Sequence, residues 1–413
     1  MRTLITPGDD QAGSGGYLGP PMFAPDQRVP DLRLSLNESL HMVHREDWNA
    51  VAREAGPYLQ YDHLLAIEDR MRPHMEFRYV VYYCMRNKPA GIACFQVVEL
   101  EEHGSPYGEK LQRLGKHLGS RVLEERRVRC LVAGNVFHTG DHGSYFLHGV
   151  GPEQRLAIVA DSLLRLEKGD SLRQRTPVLL MKDIVPPGTQ VPVPPKGFHL
   201  MRTDAIMEMT VHPAWKSLDD YMGALNAKSR TRLKNVLKRS ADLEVRSLDP
   251  DAIEREAPRL QRLLDNILAR SPYVLGRLNA AVFADHKRHL RDALLFNAYY
   301  VSNDLVGFSS AFVLDGALDA HYVGLDHAHN ERFAVYQRML VDHLASAIAL
   351  GLPKVLFGRT AEQAKSNLGA IPTAAYFHVR HRNPVVNRVV GPFLHSVQPS
   401  AFELRDPFKE TAA

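Results

Sequence analysis

Two segments far apart in the chain, YYCMRNKPAGIACF from Tyr82 and YYVSNDLVGFSSAF from Tyr299, match with one small shift, and each sits in the same context. In the first half, RYVVYYCM, a polar turn RNKPAG and IACFQVVEL read as strand, turn and strand; in the second, NAYYV, SNDLVG and FSSAFVL do the same. A further strand follows in each, CLVAGNVF or ALDAHYVGLD, and then an amphipathic helix and a buried strand, PVLLMKDI or KVLFG. The second of these helices places Phe333, Tyr336, Leu340, Leu344 and Ile348 at helical spacing on one face. A meander, helix and strand repeated in this way restrict the fold to an α/β architecture built twice, two mixed sheets in tandem flanked by helices.

At 413 residues the chain is long enough for two such units, since a domain usually runs to about 100–200 residues. The first 32 residues, rich in Gly, Pro and Asp and without periodicity, read as a flexible tail. VPPGTQVPVPPKG, Val185 to Gly197, carries five prolines and excludes both helix interior and central strand. The expected organisation is therefore a first domain at 33–185, a connector at 186–196, a second domain at 197–400 and a C-terminal tail at 401–413. A hydrophobic fraction of 45% and a charged fraction of 24% belong to a globular chain, and a net charge of +4 is too small for a nucleic-acid coat protein. Cys84, Cys94 and Cys130 lie in apolar surroundings and read as buried free thiols of a reducing compartment. No apolar run approaches the roughly 20 residues of a bilayer span, and no basic-then-apolar leader opens the sequence, so the expected location is the cytoplasm.

The basic segment AKSRTRLKNVLKRS, the meander YYVSNDLVGFSSAFVLDGALDAHYVGL, the helix ERFAVYQRMLVDHLASAIALGL and the strand and helix LFGRTAEQAKSNLGA together resemble the tandem GNAT-like acyltransferases, specifically the bacterial peptidoglycan-biosynthesis or Fem-like acetyltransferase family. The resemblance covers most of residues 205–390, with a weaker echo across 40–185. It implies acyl transfer onto an amine from a thioester, acyl-CoA or an acyl carrier protein, used as co-substrate with no tightly bound cofactor. In the true Fem branch the donor is an aminoacyl-tRNA. One departure stands out: the Q/R-x-x-G-x-G/A pyrophosphate loop of ordinary GNAT enzymes is replaced by LDHAHNERFAV before the second helix.

Amide formation from a thioester needs a group to take the amine's proton, polarisation of the carbonyl and a proton for the thiolate. In ALDAHYVGLD, period-2 alternation sends Asp319 and His321 to one face, His321 as base and Asp319 as its orienter, and Tyr322 to the other, with Tyr322 or Tyr336 as the acid. The structural alternative makes His321 a core histidine and Asp319 a cap on the Asp315-Gly316 turn. GNVFHTGDHGSYFLHGVG gathers Asn135, His138, Asp141, His142 and His148 among five glycines, a loop suited to bringing imidazoles and backbone close to a ligand. His142 and Asp141 are the strongest candidates in it; a plain hairpin turn is the competing reading, and the glycines argue against the helix that a zinc pair at His138 and His142 wants.

AKSRTRLKNVLKRS carries six basic residues and no acid between Lys228 and Arg239, with Leu233, Val236 and Leu237 as one buried stripe. Lys234 and Lys238 on it are candidate contacts for coenzyme A phosphates, a carrier protein, tRNA or anionic lipid, against a merely solvated face. The lack of a stacking aromatic disfavours nucleic acid. In LFGRTAEQAKSNLGA, Thr360 reads as an N-cap, and Arg359 and Lys365 border the strand end as candidate phosphate or carboxylate ligands, against an Arg359–Glu362 pair and a solvent-facing lysine. The expected protein is an N-acyltransferase whose acceptor is an amine on a lipid such as a sphingoid base, an amino sugar or an amino acid. The mixed basic and apolar tail RHRNPVVNRVVGPFL suggests peripheral contact with an anionic membrane at its inner face. The alternatives are Fem-type aminoacyl-tRNA-dependent transfer and a non-catalytic binding protein that retains the fold.

Overall fold

The computed structural model describes residues 32–102, 127–147, 149–169, 172, 175–186, 188, 190–271, 273–396 and 401–409. The expected N-terminal tail up to Asp31, and His148, lie outside them. Sixteen strands form among the described residues: β1 (Arg33–Asn37), β2 (Glu76–Tyr83), β3 (Pro89–Glu102), β4 (Arg127–Ala133), β5 (Ser144–Phe146), β6 (Val178–Ile184), β7 (His199–Arg202), β8 (Ile206–Thr210), β9 (Glu244–Ser247), β10 (Tyr273–Leu275), β11 (Leu294–Val301), β12 (Asp304–Leu314), β13 (Ala317–Leu325), β14 (Lys354–Gly358), β15 (Ile371–Thr373) and β16 (Tyr376–His381). One sheet runs β1-β2-β3-β4-β6-β16-β7, with β5 and β10 added on β3, and the other runs β9-β11-β12-β13-β14-β8-β15.

The two paths are the same in direction as well as order. Each makes three antiparallel pairings, one parallel step, β4 with β6 or β13 with β14, and two more antiparallel pairings. The expected two mixed sheets flanked by helices are present. In the first sheet β16, from near the chain's end, inserts between β6 and β7, and in the second sheet β8 takes the equivalent place between β14 and β15. Sheet membership therefore runs across residue 197, because β7 and β16 complete the first sheet from beyond it.

A single apolar core fills the space between the sheets. Trp48 and Val51 on helix Arg45–Ala52, Leu64 and Ile67 on helix Tyr61–Met71, Ile253 and Leu260 on helix Pro250–Leu268, and Phe283 on helix Val282–Leu290 meet Phe77 of one sheet and Phe296 and Phe308 of the other. Helix Pro152–Lys168 covers the outer face of the first sheet, and helices Leu218–Ala224 and Val335–Ala349 that of the second. Local chemistry fixes these elements. Asp249 caps helix Pro250–Leu268 by accepting from the Ala252 N–H, and Pro250 opens it, where a missing N–H costs nothing. The expected Asp315-Gly316 turn joins β12 to β13, with Gly316 at φ +78°.

Three local details stand out, the last of them a correction. Residues 401–409 are docked: the backbones of Leu225 and Phe408 form a β-bridge, and the Phe408 ring lies against Trp215, Tyr221 and the bare Cα of Gly369. Helix Pro384–Ser396, within RHRNPVVNRVVGPFL, turns Val390 and Leu394 inward and seats Gly391 on the His199 ring, leaving Val385 as its exposed large apolar residue. Cys84 is half-buried, unlike Cys94 and Cys130, whose thiols burial pushes up to about 12; all three are free. No helix among the described residues is long and apolar enough to cross a membrane.

Candidate active site

The parallel strands of the second sheet separate almost at once. β13 and β14 pair at two positions, Leu318 with Val355 and Asp319 with Leu356, whereas the equivalent β4 and β6 pair at four. Gly358, at φ +68°, turns β14 away, and Thr360 and Ala361 follow in the same left-handed region at +62° and +52°. The divergence leaves the backbone of β13 beyond Asp319 without a strand on that side. The loop after β4 in the first half lies over this point, Thr139 Oγ1 sitting 3.5 Å from where a Gly358 Cβ would be.

A β-bulge then rearranges the face that period 2 was expected to set. Ser309 pairs with Val323 and Ala311 with Ala320, so His321 and Tyr322 both stand opposite Ser310. His321 and Tyr322 consequently lie on one side, their rings 4.6 Å apart edge to face, and Tyr322 packs into the shared core beside Phe283. Asp319 and His321 face the first half, as expected, but do not bond to each other. The Tyr58 hydroxyl donates to Asp319 Oδ2, and His321 Nε2 donates to the Phe137 carbonyl at 2.9 Å, which leaves Nδ1 bare toward Ser310 Oγ at 3.4 Å. Burial pushes Asp319 up to about 7, the Tyr58 hydroxyl pulling in the opposite direction. Among the described residues Asp319 Oδ1 carries no hydrogen bond. Burial also drives His321 down to about 3, so the ring is neutral and is not the titrating base expected of it.

Around this pair the two halves contribute two histidines each. His63 Nε2 and His138 Nε2 share a hydrogen bond at 2.8 Å, His286 stacks on His63 at 4.2 Å, and His321 stacks on His138 at 4.7 Å. Tyr58 stacks on His138 at 4.2 Å and lies 4.6 Å from His142, whose half-buried ring is driven down to about 4 by burial and then by Lys182. The GDHG loop thus faces the second half. Asp141, however, pairs with Arg155 at the start of helix Pro152–Lys168, anchoring the loop. Asn135 also serves the loop, its Oδ1 accepting from the Phe137 N–H at 3.1 Å and from Gln96 at 3.3 Å.

The Arg359 and Lys365 expectations are corrected. Arg359 pairs with buried Asp183 across the halves and lies over the Phe377 ring, so it is not presented to an anion. Asp183, at φ +58°, also receives Lys182 at 2.6 Å and the Gly140 N–H at 2.9 Å, and Lys182 donates to the His138 carbonyl at 2.6 Å. Lys365 is 3% exposed and donates back to the Arg359 carbonyl at 2.5 Å and the Gly358 carbonyl at 3.2 Å; burial brings it down to about 7. Ala361 holds the N-cap position of helix Glu362–Ser366 without a side-chain bond, so Thr360 is not the cap. The Tyr336 N–H donates to Asn330 Oδ1 at 2.8 Å while its ring packs on the outer core of the second sheet. Lys234 and Lys238 stand exposed on helix Ala227–Arg239. Tyr58, His63 and His286 were not expected. Lys182 and Asp183 had a signal, a charged pair inside the apolar run PVLLMKDI.

No family model and no curated protein matches the chain. Among solved structures it is similar to FemX, at 9% identity and a TM-score of 0.46 over 84% of this chain and 98% of that one. It is similar to a tandem GNAT protein from the clavulanic acid biosynthesis pathway, at 10% and 0.46 over 84% and 98%. A third is Saccharomyces cerevisiae N-myristoyltransferase solved with bound myristoyl-CoA and inhibitors, at 10% and 0.43 over 84% and 72%. At these values the likeness is one of general layout and carries no argument about chemistry.

Proposed function

We propose that the chain is an N-acyltransferase with two GNAT-like halves, moving an acyl group from a thioester donor, acyl-CoA or an acyl carrier protein, to an amine. The observation that supports it is the early divergence of β13 from β14, immediately beyond a buried carboxyl whose pKa lies near 7. The open edge of β13 hydrogen-bonds the donor's amides and polarises the thioester carbonyl through backbone N–H groups. Asp319, as carboxylate, takes the proton of the attacking amine through Oδ1 and returns it to the departing thiolate. The C–S bond breaks as the C–N bond forms, and the products are an amide and a thiol. A carboxyl titrating near 7 suits both transfers, being basic enough to accept the proton and acidic enough to release it. The acceptor is an amine of a lipid, amino sugar or amino acid, met in the cytoplasm.

The test is thiol release from octanoyl-CoA, and from an octanoylated carrier protein, over a panel of such amines. Asp319→Asn is expected to lower kcat by roughly 10²–10⁴-fold while leaving calorimetric binding of octanoyl-CoA intact. Transfer from charged tRNA but from no thioester moves the protein to the Fem branch. Binding without transfer from any donor makes it a binding protein.

A further inference from the structure

A cavity of about 680 Å³ opens where the two halves meet, between the end of helix Tyr61–Met71 and β3 on one side and helix Pro250–Leu268 and β10 on the other. Small-molecule sites run to roughly 300–1,000 Å³. β10 closes it by pairing onto β3, Leu275 against Leu100, and Gly276 follows at φ +85°, its bare Cα letting the chain pass Val136 and Phe137. Met71, Met75, Val98, Val274 and Leu278 give it a buried apolar lining. The two methionines suit a flexible chain better than one rigid shape. Its charged lining is mostly acidic, with Glu99, Glu101 and Asp265 set against Arg277 and the imidazole of His74. Arg277 is already paired with Glu101 at 2.9 Å. Half-buried Asp265 accepts from the Gln261 amide at 3.1 Å and, among the described residues, forms no ion pair, so its charge is left for a cation. The Leu278 carbonyl at 3.2 Å and the Ala280 N–H at 2.8 Å hold Gln261 in turn, which preorganises the acceptor.

The cavity is separate from the acyl centre. His63, in the histidine stack, and Met71, on the cavity wall, stand eight residues apart on one helix, about 12 Å of rise. Asn266, next to Asp265, donates to the Leu325 carbonyl at 3.2 Å, and Leu325 lies six residues along β13 from Asp319, roughly 20 Å of strand. We infer that this cavity is a second ligand site and takes an amphipathic amine, with its ammonium head paired to Asp265 and its alkyl body laid among Met71, Met75 and Leu278. No bond is made or broken there, so the site does not depend on the acyl-transfer reading.

Isothermal titration of the full chain with octylamine, octanol, octanoate and spermidine tests it. Octylamine is expected to bind at least tenfold more tightly than octanol or octanoate, which lack the cation, and than spermidine, which lacks the alkyl body. Asp265→Asn is expected to bring octylamine down to the affinity of octanol. Ala257→Trp, at a half-buried position on the cavity wall, is expected to weaken octylamine and octanol alike by tenfold or more, with an unaltered circular dichroism spectrum. Asp319→Asn is expected to leave octylamine binding as it is. Octanoate or spermidine binding as tightly as octylamine overturns the site, as does an octylamine affinity unchanged in Asp265→Asn or in folded Ala257→Trp. A tenfold loss in Asp319→Asn overturns it too, since the amine then sits at the acyl centre.

Discussion

At the scale of single residues, Asp319 and Tyr58 make a sharp claim about pH. A base must be unprotonated to act, so kcat/KM is expected to fall as pH drops through about 7, the value burial gives Asp319. Tyr58 donates to the carboxylate and so favours its charged form. Tyr58→Phe is therefore expected to move this limb to higher pH; an unmoved limb would mean that another group titrates. A limb belonging to His321 is not expected, because burial keeps that imidazole neutral down to about pH 3 even though the Phe137 carbonyl pulls the other way. Asp319 was legible as a candidate because a carboxylate inside a strand pattern is unusual. Tyr58 was not, since its contact spans 261 residues of chain and GPYLQ carries no pattern that points across such a distance.

Among the elements, the segment from Gly358 to Lys365 decides where β14 ends. Ala361 holds a left-handed φ of +52° on an exposed site, a conformation that costs an L-residue roughly 1–2 kcal/mol and glycine little. Ala361→Gly is expected to raise the melting temperature or leave it unchanged, the relief being offset in part by glycine's freedom in the unfolded chain. Lys365→Met removes the donor shared by the Gly358 and Arg359 carbonyls and is expected to destabilise by about 1–3 kcal/mol, read by urea unfolding. Loss of stability in Ala361→Gly comparable with that of Lys365→Met would refute the strain argument. Alternation and turn chemistry located the meander strands of both halves. They failed at Ser310, where one extra residue on β13 carries Tyr322 round to the His321 side, and at Thr360, where a good capping residue is overruled by the turn that Gly358 begins.

For the whole molecule, the repeat in the sequence foretold two equivalent sheets, but not the entry of β7 and β16 into the first of them from beyond residue 197. Pairing is decided by packing across the chain, and both strands read locally as ordinary edge material. The same non-locality hid the histidine stack that joins the halves. His63 and His138 are held well below their usual range by burial first and neighbouring imidazoles second, His286 is near 4 and His321 near 3. All four are neutral in the folded protein at neutral pH, whereas the unfolded chain protonates them near 6.5. The stability they contribute is therefore present above about 6.5 and is lost as pH falls toward the folded values, by about 1.4 kcal/mol per pH unit for each proton that only the unfolded chain takes up. Asp319 has the opposite sign: its folded value is raised, so it loses stability as pH rises toward 7 and recovers it on acidification. Four imidazoles outweigh one carboxyl, and the melting temperature is expected to fall steadily from pH 7 to pH 5. Calorimetry on two variants separates the contributions, because His286→Gln is expected to flatten that slope and Asp319→Asn to steepen it. A melting temperature constant between pH 7 and pH 5, or a slope that neither variant alters, would exclude the interface stack as the origin of acid sensitivity.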